Sequence, residues 1–514
     1  MTEPRGTWSQ ALKAYLHPRV ITMLFYGFSA GVPLLLIFSS LSIWLIEAGE
    51  QRANVTFFSW AALFYSFKFV WAPLADRLPL PLLTRLLGRR RAWLFASQAC
   101  IALSLLLIAC VDPGQPGMLN LMALAVALLG FSAATQDIVI DAYRIESAGE
   151  ELQAMMSSTY IAGYRIGMLV SGAGSLILAE TLGSTSEAYL YSAWQITYSV
   201  MALTMLVGIT TTLIIREPAN MAVIRGQFTG RQYLRFLGLF LLAVSGFVLA
   251  YVLTSDQATQ LKDGLTAITA NSILSNFLIE LFRLSCALAM AAAVIKLLSH
   301  TPLYEHELVR QSYIDPIRDF FTRYGLHLAL LLLVFIGFYR VSDIVLGVIA
   351  NIFFEEIGFS KTEIAAVAKT FGLVMTIVGG LLGGLLAYRY GAIRVLYLGA
   401  ALTVATNLLF MWLAGVGHRI EALYLVISAD NLSAGVASAA FVAFLSRLTN
   451  ISFTAMQYAI FSSLMTLFPK IIGGYSGSMV ENMGYPTFFL VASLMGVPVL
   501  LLIWLLQRHP QFRE

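Results

Sequence analysis

Asp137, Asp141 and Arg144 stand four and seven residues apart within an otherwise apolar run, Ser132-Ala-Ala-Thr-Gln-Asp-Ile-Val-Ile-Asp-Ala-Tyr-Arg144. At 3.6 residues per turn, that spacing puts all three on one face of a helix. An ionisable group at the centre of a bilayer costs about 2.5 to 3.5 kcal/mol even on the lenient insertion scale, so each one retained needs a partner or a function. Lys68, Arg165, Arg340 with Asp343 three residues on, Asp430 and Lys470 are further such groups. Together they suit a central polar cavity in which Lys68, Arg165, Arg340 and Lys470 hold an anion while a carboxylate takes up and releases a proton. Asp137, deeper than Asp141, is the first candidate for the proton, with Asp343 and Asp430 as the others. Gln136, Tyr160, Tyr164, Tyr339 and Gln457 add amides and phenols suited to sugar hydroxyls and peptide groups. The same charges also read as neutralising pairs that fix helix packing, notably Arg340 with Asp343 and Asp141 with Arg144.

The elements that must carry these groups follow from composition. Of 514 residues, 59% are hydrophobic and only 12% charged, with a mean hydropathy of +0.79. So few charges cannot solvate a globule of this length, which excludes soluble enzymes, nucleic-acid binders and disordered regulators. Apolar runs of about 20 residues, the length that crosses the hydrocarbon core, recur at 20–46, 54–76, 92–111, 118–141, 153–180, 190–214, 233–254, 275–297, 325–350, 364–388, 392–415, 421–446, 453–480 and 487–507. An all-α polytopic membrane protein of 14 spans is expected. The first run begins without a cleavable leader pattern and reads as a retained helix. Basic residues mark the cytoplasmic side: Arg5, Lys13 and Arg19; Arg77, Arg85 and Arg89 to Arg91; Arg216, Arg225, Arg231 and Arg235; Arg310, Arg318 and Arg323; Arg508 and Arg513. The opposite loops carry little beyond Arg52, Lys262, Lys361 and Arg419. Both termini are therefore expected in the cytoplasm, and the net charge of +4 is an orientation signal, not a nucleic-acid footprint. Cys100, Cys110 and Cys286 lie in apolar stretches and the histidines lack ligand spacing, so no disulfide framework, metal or cofactor is expected.

Three weak internal matches share nearly one offset: Phe25-Tyr-Gly-Phe28 with Phe335-Ile-Gly-Phe338, Ala72-Pro-Leu-Ala-Asp-Arg77 with Gly384-Leu-Leu-Ala-Tyr-Arg-Tyr-Gly391, and Arg165 to Gly172 with Lys470 to Gly477. They divide the chain into a six-helix bundle at 1–215, a linker with two additional helices at 216–322, and a second six-helix bundle at 323–514. Asp76-Arg77, then Gly88-Arg-Arg-Arg91, suggests a latch in which a carboxylate at a helix end meets arginines and a neighbouring helix terminus. Asp76, Arg77, Arg89, Arg90, Asp141 and Arg144 are thus gating candidates. Tyr388 replaces Asp76 in the second copy, so the halves should not gate alike. Gly163, Gly167 and Gly172 predict close helix packing, and Pro33, Pro73 and Pro469 predict kinks.

Phe67-Lys-Phe-Val-Trp-Ala-Pro-Leu-Ala-Asp-Arg77, Gly88-Arg-Arg-Arg-Ala-Trp93, Gln136-Asp-Ile-Val-Ile-Asp141, Gly163-Tyr-Arg-Ile-Gly-Met-Leu-Val-Ser-Gly172, Gln457-Tyr-Ala-Ile-Phe-Ser-Ser-Leu-Met465 and Gly473-Gly-Tyr-Ser-Gly477 resemble the AmpG muropeptide permeases of the major facilitator superfamily. Ala142 to Ser147 and 216–323 depart from that pattern. The resemblance implies a monomeric inner-membrane importer, driven by proton symport. Its substrates would be N-acetylglucosaminyl-1,6-anhydro-N-acetylmuramic acid and its peptides, which feed peptidoglycan recycling and signal AmpC beta-lactamase induction. It also implies an essential carboxylate at Asp137. Partners would be the anionic glycopeptide, protons and the lipid bilayer, with no nucleic acid. The alternative within the superfamily is an acetyl-coenzyme A or other anionic-metabolite transporter, which shares the Lys68 to Pro73 stretch. A membrane enzyme would need more than His300, Glu305 and His306, which come without a nucleophile or metal spacing, and no soluble signalling segment supports a sensor.

Overall fold

A computed structural model describes residues 7–51, 54–55, 58–185, 187–218, 228–269 and 272–512; Arg5, Arg52, Arg225 and Arg513, used above for orientation, lie outside them. Among the described residues the regular structure is helical, and 13 helices are long and apolar enough to cross a membrane. The expected run that is missing from that set is the second. Instead of one helix, the described residues 58–77 hold a 3-10 turn at Phe58–Ala61, α4 (Ala62–Phe67), a second 3-10 turn at Lys68–Val70 and α5 (Ala72–Arg77). Phe67 leaves helical geometry at φ −106°, ψ 13°, and Pro73 sits in the first turn of α5, where its missing N–H would have had no helical partner. Hydropathy reports what a segment can be buried in, not whether its backbone is continuous.

Contacts divide the chain into two units, Met1–Asn220 with Phe320–Glu514, and Met221–Asp319. In the larger unit the first half comprises α1 (Trp8–Ala14), α2 (Pro18–Ile37), α3 (Ser39–Glu47), the broken α4 and α5, α6 (Arg89–Ala109), α7 (Leu119–Ser147), α8 (Glu150–Leu169), α9 (Ser175–Thr181), α10 (Tyr191–Thr204) and α11 (Leu206–Ile214). The smaller unit has α12 (Gly230–Leu253), α13 (Ser255–Thr269) and α14 (Ser272–Leu298). The second half then follows with α15 (Asp315–Phe338), α16 (Val341–Glu356), α17 (Gly372–Tyr390), α18 (Ala392–Val416), α19 (Ile420–Leu448), α20 (Thr454–Gly473) and α21 (Ser476–Arg508). The three internal matches fall on elements of equal rank in each half. The long opening helix of each half also breaks at a similar place, at Phe38 (φ −101°, ψ −76°) between α2 and α3 and at Arg340 (φ −103°, ψ 7°) between α15 and α16. Pro33 and Pro469 lie inside α2 and α20.

Packing within the first half depends on small residues, as expected where lipid supplies no hydrophobic drive between helices. A Cβ on Gly163 or Gly167 of α8 would overlap the carbonyls of Leu24 and Phe28 on α2. Reciprocally, a Cβ on Gly27 or Gly31 would overlap the carbonyls of Tyr160 and Tyr164. Gly172 faces the side chain of Leu35. In the second half Gly379 and Gly383 of α17 play the same part against Leu432 and Val436 of α19. Apolar cores fill the rest, one around Trp44, Trp194 and Tyr198 in the first half and two in the second, around Phe335, Phe441 and Phe444 and around Phe353, Phe410 and Phe489.

In the smaller unit Arg283 of α14 lies 4.1 Å over the Tyr251 ring, pairs with Glu280 at 2.8 Å and donates to the Tyr251 carbonyl at 2.9 Å. Tyr251 in turn donates to Glu280 at 2.6 Å. The charges thus close on one another inside the hairpin.

Because the atoms that a side chain on Gly163 would meet are backbone, they cannot swing away. Gly163→Leu is expected to lower stability by about 3 kcal/mol and sharply reduce the yield of monodisperse protein. Thermal unfolding in detergent checks this, with Gly415→Leu, where nothing lies within reach of an added Cβ, as the control.

Candidate functional site

Helix ends leave backbone N–H groups without partners, and a carboxylate is well suited to them. Asp76, the next-to-last residue of α5, meets the start of α20 in the other half. Its Oδ1 accepts from the Ala455 N–H at 3.1 Å and its Oδ2 from the Met456 N–H at 2.9 Å. Arg90 balances the charge: its Nη2 lies 2.7 Å from Asp76 Oδ1 and 2.5 Å from Glu146 Oε1, and its Nη1 donates to the Ala75 carbonyl at 3.0 Å. Arg90 is fully buried, so its two carboxylates offset its loss of water. Arg89 donates to the Asp76 carbonyl, and Arg77 lies 5.7 Å over the Phe453 ring. Glu217 accepts from the N–H groups of Arg90 and Arg91 at 2.8 and 3.1 Å, capping α6. Arg91 in return caps the end of α11 through the Thr212 and Leu213 carbonyls.

Asp141 and Arg144 extend this join. Asp141 pairs with Lys68 at 3.8 Å and with Arg144 at 3.2 Å. Arg144, fully buried, donates to Ser446 of the second half at 2.6 Å, to Ser157 at 3.1 Å and to Gln153 at 3.2 Å, and lies 5.2 Å over the Tyr458 ring. Arg447 of the second half reaches Glu150 at 3.6 Å. The contacts of Asp76 with Ala455 and Met456, of Arg77 with Phe453, of Arg144 with Ser446 and Tyr458, and of Glu150 with Arg447 join the halves at the end that carries α1 and Phe512. At the opposite end Trp194 donates to Glu47 at 2.7 Å and His418 meets Glu363 at 3.2 Å, each within one half.

Deeper along α7, the buried Asp137 accepts from the Tyr160 hydroxyl at 3.4 Å and senses the charges of Lys68 and Asp141. Tyr164 and Tyr65 belong to the same group electrostatically. Gln136, beside Asp137, accepts from Ser29 at 2.9 Å, while its Nε2 and the Tyr65 hydroxyl have no hydrogen-bond partner among the described residues. From the second half come Arg340 and Asp343, paired at 2.5 Å and each about a quarter exposed in its side chain. They line a small cavity with Tyr339, Thr403 and Ser438. Arg165 of α8 senses both Arg340 and Asp343, so positive charge from the two halves converges there. Asp430 senses Asp343 and lies 3.5 Å from the Thr406 hydroxyl.

The structure thus gathers Lys68, Gln136, Asp137, Asp141, Arg144, Tyr160 and Tyr164 in one region and Arg165, Arg340, Asp343 and Asp430 in another. Tyr339 stacks on Phe441 with ring centroids 4.2 Å apart and donates to the Leu396 carbonyl, leaving one edge to the cavity. The oxygen of Gln457 is taken by Arg323 at 3.1 Å and by the Asn450 N–H at 2.8 Å, which ties a loop at the terminal end. Lys470 is exposed on α20. Glu146, Glu217, Ser446 and Tyr458 are partners that the sequence reading did not single out. Glu146 closes the group that includes Arg90 from 56 residues away, a relation that no spacing rule carries.

This arrangement, two helical halves joined by a buried carboxylate with further charges buried between the helices, is that of a secondary transporter. The family model described as the Major Facilitator Superfamily matches residues 20–344 and 328–514, and the chain belongs to that superfamily. Among curated relatives, "Putative transporter AmpG 4" of Rickettsia conorii is 29% identical over 491 residues, covering 96% of this chain and 97% of the relative. "Anhydromuropeptide permease" of Escherichia coli strain K12 is 28% identical over 496 residues, covering 96% and 81%. The resemblance to AmpG transporters therefore runs the length of the chain. Among solved structures, the proton:xylose symporter XylE bound to 6-bromo-6-deoxy-D-glucose superposes with a TM-score of 0.57 at 13% identity, covering 97% of this chain and 96% of that one. The Escherichia coli fucose:proton symporter FucP gives 0.55 at 11% identity, covering 96% and 99%. These last two define the fold.

Removing Arg90 leaves the buried Glu146 without its guanidinium partner, and Asp76 with the α20 amides but no balancing charge on Arg90. Arg90→Met is expected to destabilise the protein by about 3 to 5 kcal/mol, and adding Glu146→Leu should recover part of that loss. Thermal unfolding of the single and double variants reads the difference.

Proposed function

We propose that this chain is a proton symporter that imports anhydromuropeptides from periplasm to cytoplasm across the bacterial inner membrane, supplying cell-wall recycling and the signal for AmpC beta-lactamase. In this reading it has 14 spans, the broken α4 and α5 segment counting as the second, and both termini are cytoplasmic. The observation that carries the reading is Asp137. It is a buried carboxylate held by Tyr160 and facing Lys68, placed between a closed terminal end and the guanidinium groups of Arg165 and Arg340. The anhydromuropeptide permease among the relatives supports the substrate class. A muropeptide bears peptide carboxylates for the cations and sugar hydroxyls for Gln136, Tyr65, Tyr160 and Tyr164.

The mechanism is alternating access by rocking of the two halves about this midplane. With cytoplasmic termini, the latch of Asp76, Arg90 and the α20 N-terminus is the cytoplasmic gate, and its closed state faces the periplasm. Protonation of Asp137 from that side removes a rival for Lys68, leaving that ammonium to the anionic substrate. The halves then rock, breaking the Asp76 and Arg144 contacts with α20 and Ser446. Proton loss to the more alkaline cytoplasm restores the carboxylate, which draws Lys68 back and releases the substrate. Asp343 and Asp430 are second candidates for the same proton. The substitution of Tyr388 for Asp76 in the second repeat, on the last turn of α17 beside α1, leaves the second half without an equivalent carboxylate at this same end, so the two halves close the gate by different chemistry.

Uptake of radiolabelled anhydromuropeptide into proteoliposomes of controlled orientation, with and without an imposed proton gradient, tests this. Asp137→Asn is expected to abolish gradient-driven accumulation while binding persists. Arg340→Ala and Arg165→Ala should each raise KM about tenfold, the worth of one charge-assisted hydrogen bond. Uptake that ignores the gradient in both wild type and Asp137→Asn would remove proton coupling, and absence of uptake of any muropeptide would remove the substrate.

A further inference from the structure

Tyr15 ends α1, before the first span begins. Its hydroxyl donates to the Leu381 carbonyl of α17 at 2.6 Å and lies 2.9 Å from Ser158 Oγ on α8. One oxygen therefore bonds to both halves at once. Its seat exists because residue 384 is glycine: a Cβ there would overlap the Tyr15 hydroxyl and lie 2.6 Å from Ser158 Oγ. The rest of α1 is fixed as well. Thr7 and Gln10 form a capping box at its start, Arg389 lies 4.5 Å over the Trp8 ring, and Trp8 meets Tyr390 edge to face at 6.2 Å. Arg389 and Tyr390 belong to the last turn of α17, so α1 starts on the second half and then passes into α2 of the first.

We infer that α1 is a strap across the seam, and that Tyr15 is a gating residue whose hydroxyl must leave its seat between Ser158 and Leu381 before the terminal end can open. The inference rests on the alternating-access reading above. It adds a second latch of a different kind from that of Asp76. The Asp76 latch is ionic, while the strap is a neutral phenol: burial pushes the Tyr15 hydroxyl up to about 12, so it stays a donor at any physiological pH. The Asp76 latch joins α5 to α20, whereas the strap joins α8 to α17, so the two grip different parts of the seam. Tyr15 also makes the entry to the first span depend on gate state, because the residues that carry it, Leu16 and His17, lead directly into α2.

The test uses the full-length chain in lipid nanodiscs, with Cys100, Cys110 and Cys286 replaced by alanine and spin labels on Leu86→Cys and Ile451→Cys. These are exposed sites on the two halves, 79% and 47% accessible. Pulsed dipolar spectroscopy then reads the share of molecules with this end open, without substrate. Tyr15→Phe removes only the oxygen, and Gly384→Ala fills the seat from the α17 side, with no residue of α1 changed. Each is expected to raise the open share about fivefold, the population change that matches loss of one net hydrogen bond. Ser158→Ala gives a third, milder probe should Gly384→Ala fold poorly. Unchanged distance distributions in Tyr15→Phe and in the second variant would overturn the strap. Since neither label nor variant involves muropeptide, a chain that shows the shift yet carries no muropeptide keeps the strap and loses the substrate assignment.

Discussion

A carboxylate taken out of water must find positive charge or donors within reach, and Asp76 finds both: the guanidinium of Arg90 and the first free N–H groups of α20. Nearly everything at that end of the molecule is arranged around this need. Arg90 needs Glu146, because one acid would leave part of the guanidinium unsatisfied. Arg90 must also sit at the start of α6, and that start is capped by Glu217 from beyond α11. Since the α20 amides are across the seam, the interaction that stabilises Asp76 is also the one that holds the halves together. In the proposed alternating-access mechanism, local stability and gate closure are the same contact.

The interior follows a complementary rule. The terminal end gives its charges several partners each, whereas the interior holds an amide nitrogen and a phenol without hydrogen-bond partners among the described residues, and an ion pair that lines a cavity. Buried polar groups left open in this way mark places where a ligand or water completes the bonding. In the transport reading proposed above, that contrast separates Arg144, whose two Nη groups are spent on Asp141, Gln153, Ser157 and Ser446, from Arg165 and Arg340.

Much of this was legible in the sequence, and the reasons differ by element. Charged residues in apolar runs announce themselves by cost, so Asp137, Arg165 and Arg340 needed no structure. The Asp76 latch was readable because its residues lie within one loop and a helix terminus is a generic partner. Gly163 and Gly167 were readable as packing residues, but Gly27 and Gly31, which complete the interlock, were not paired with them, because the match spans more than a hundred residues. The continuous second helix failed for a local reason: the apolar character of 54–76 says nothing of the backbone break at Phe67. Gln457 shows the opposite failure. Its residue type fits a sugar site, yet the loop amide at Asn450 and Arg323 engage it first.

The interlocked glycines of α2 and α8 have a mechanical consequence. Two helices whose backbones touch cannot slide or splay, so the pair turns as one lever. At 1.5 Å per residue, the 20 residues of α2 measure roughly 30 Å, and a rigid tilt of roughly 10°, smaller than the rotations known for subunit switches, sweeps the far end through about 5 Å. That displacement exceeds the reach of any hydrogen bond at the seam. In the proposed mechanism, a change confined to one carboxylate at the fulcrum is thereby amplified into the full parting of a gate, with stiffness rather than flexibility as the transmitting property.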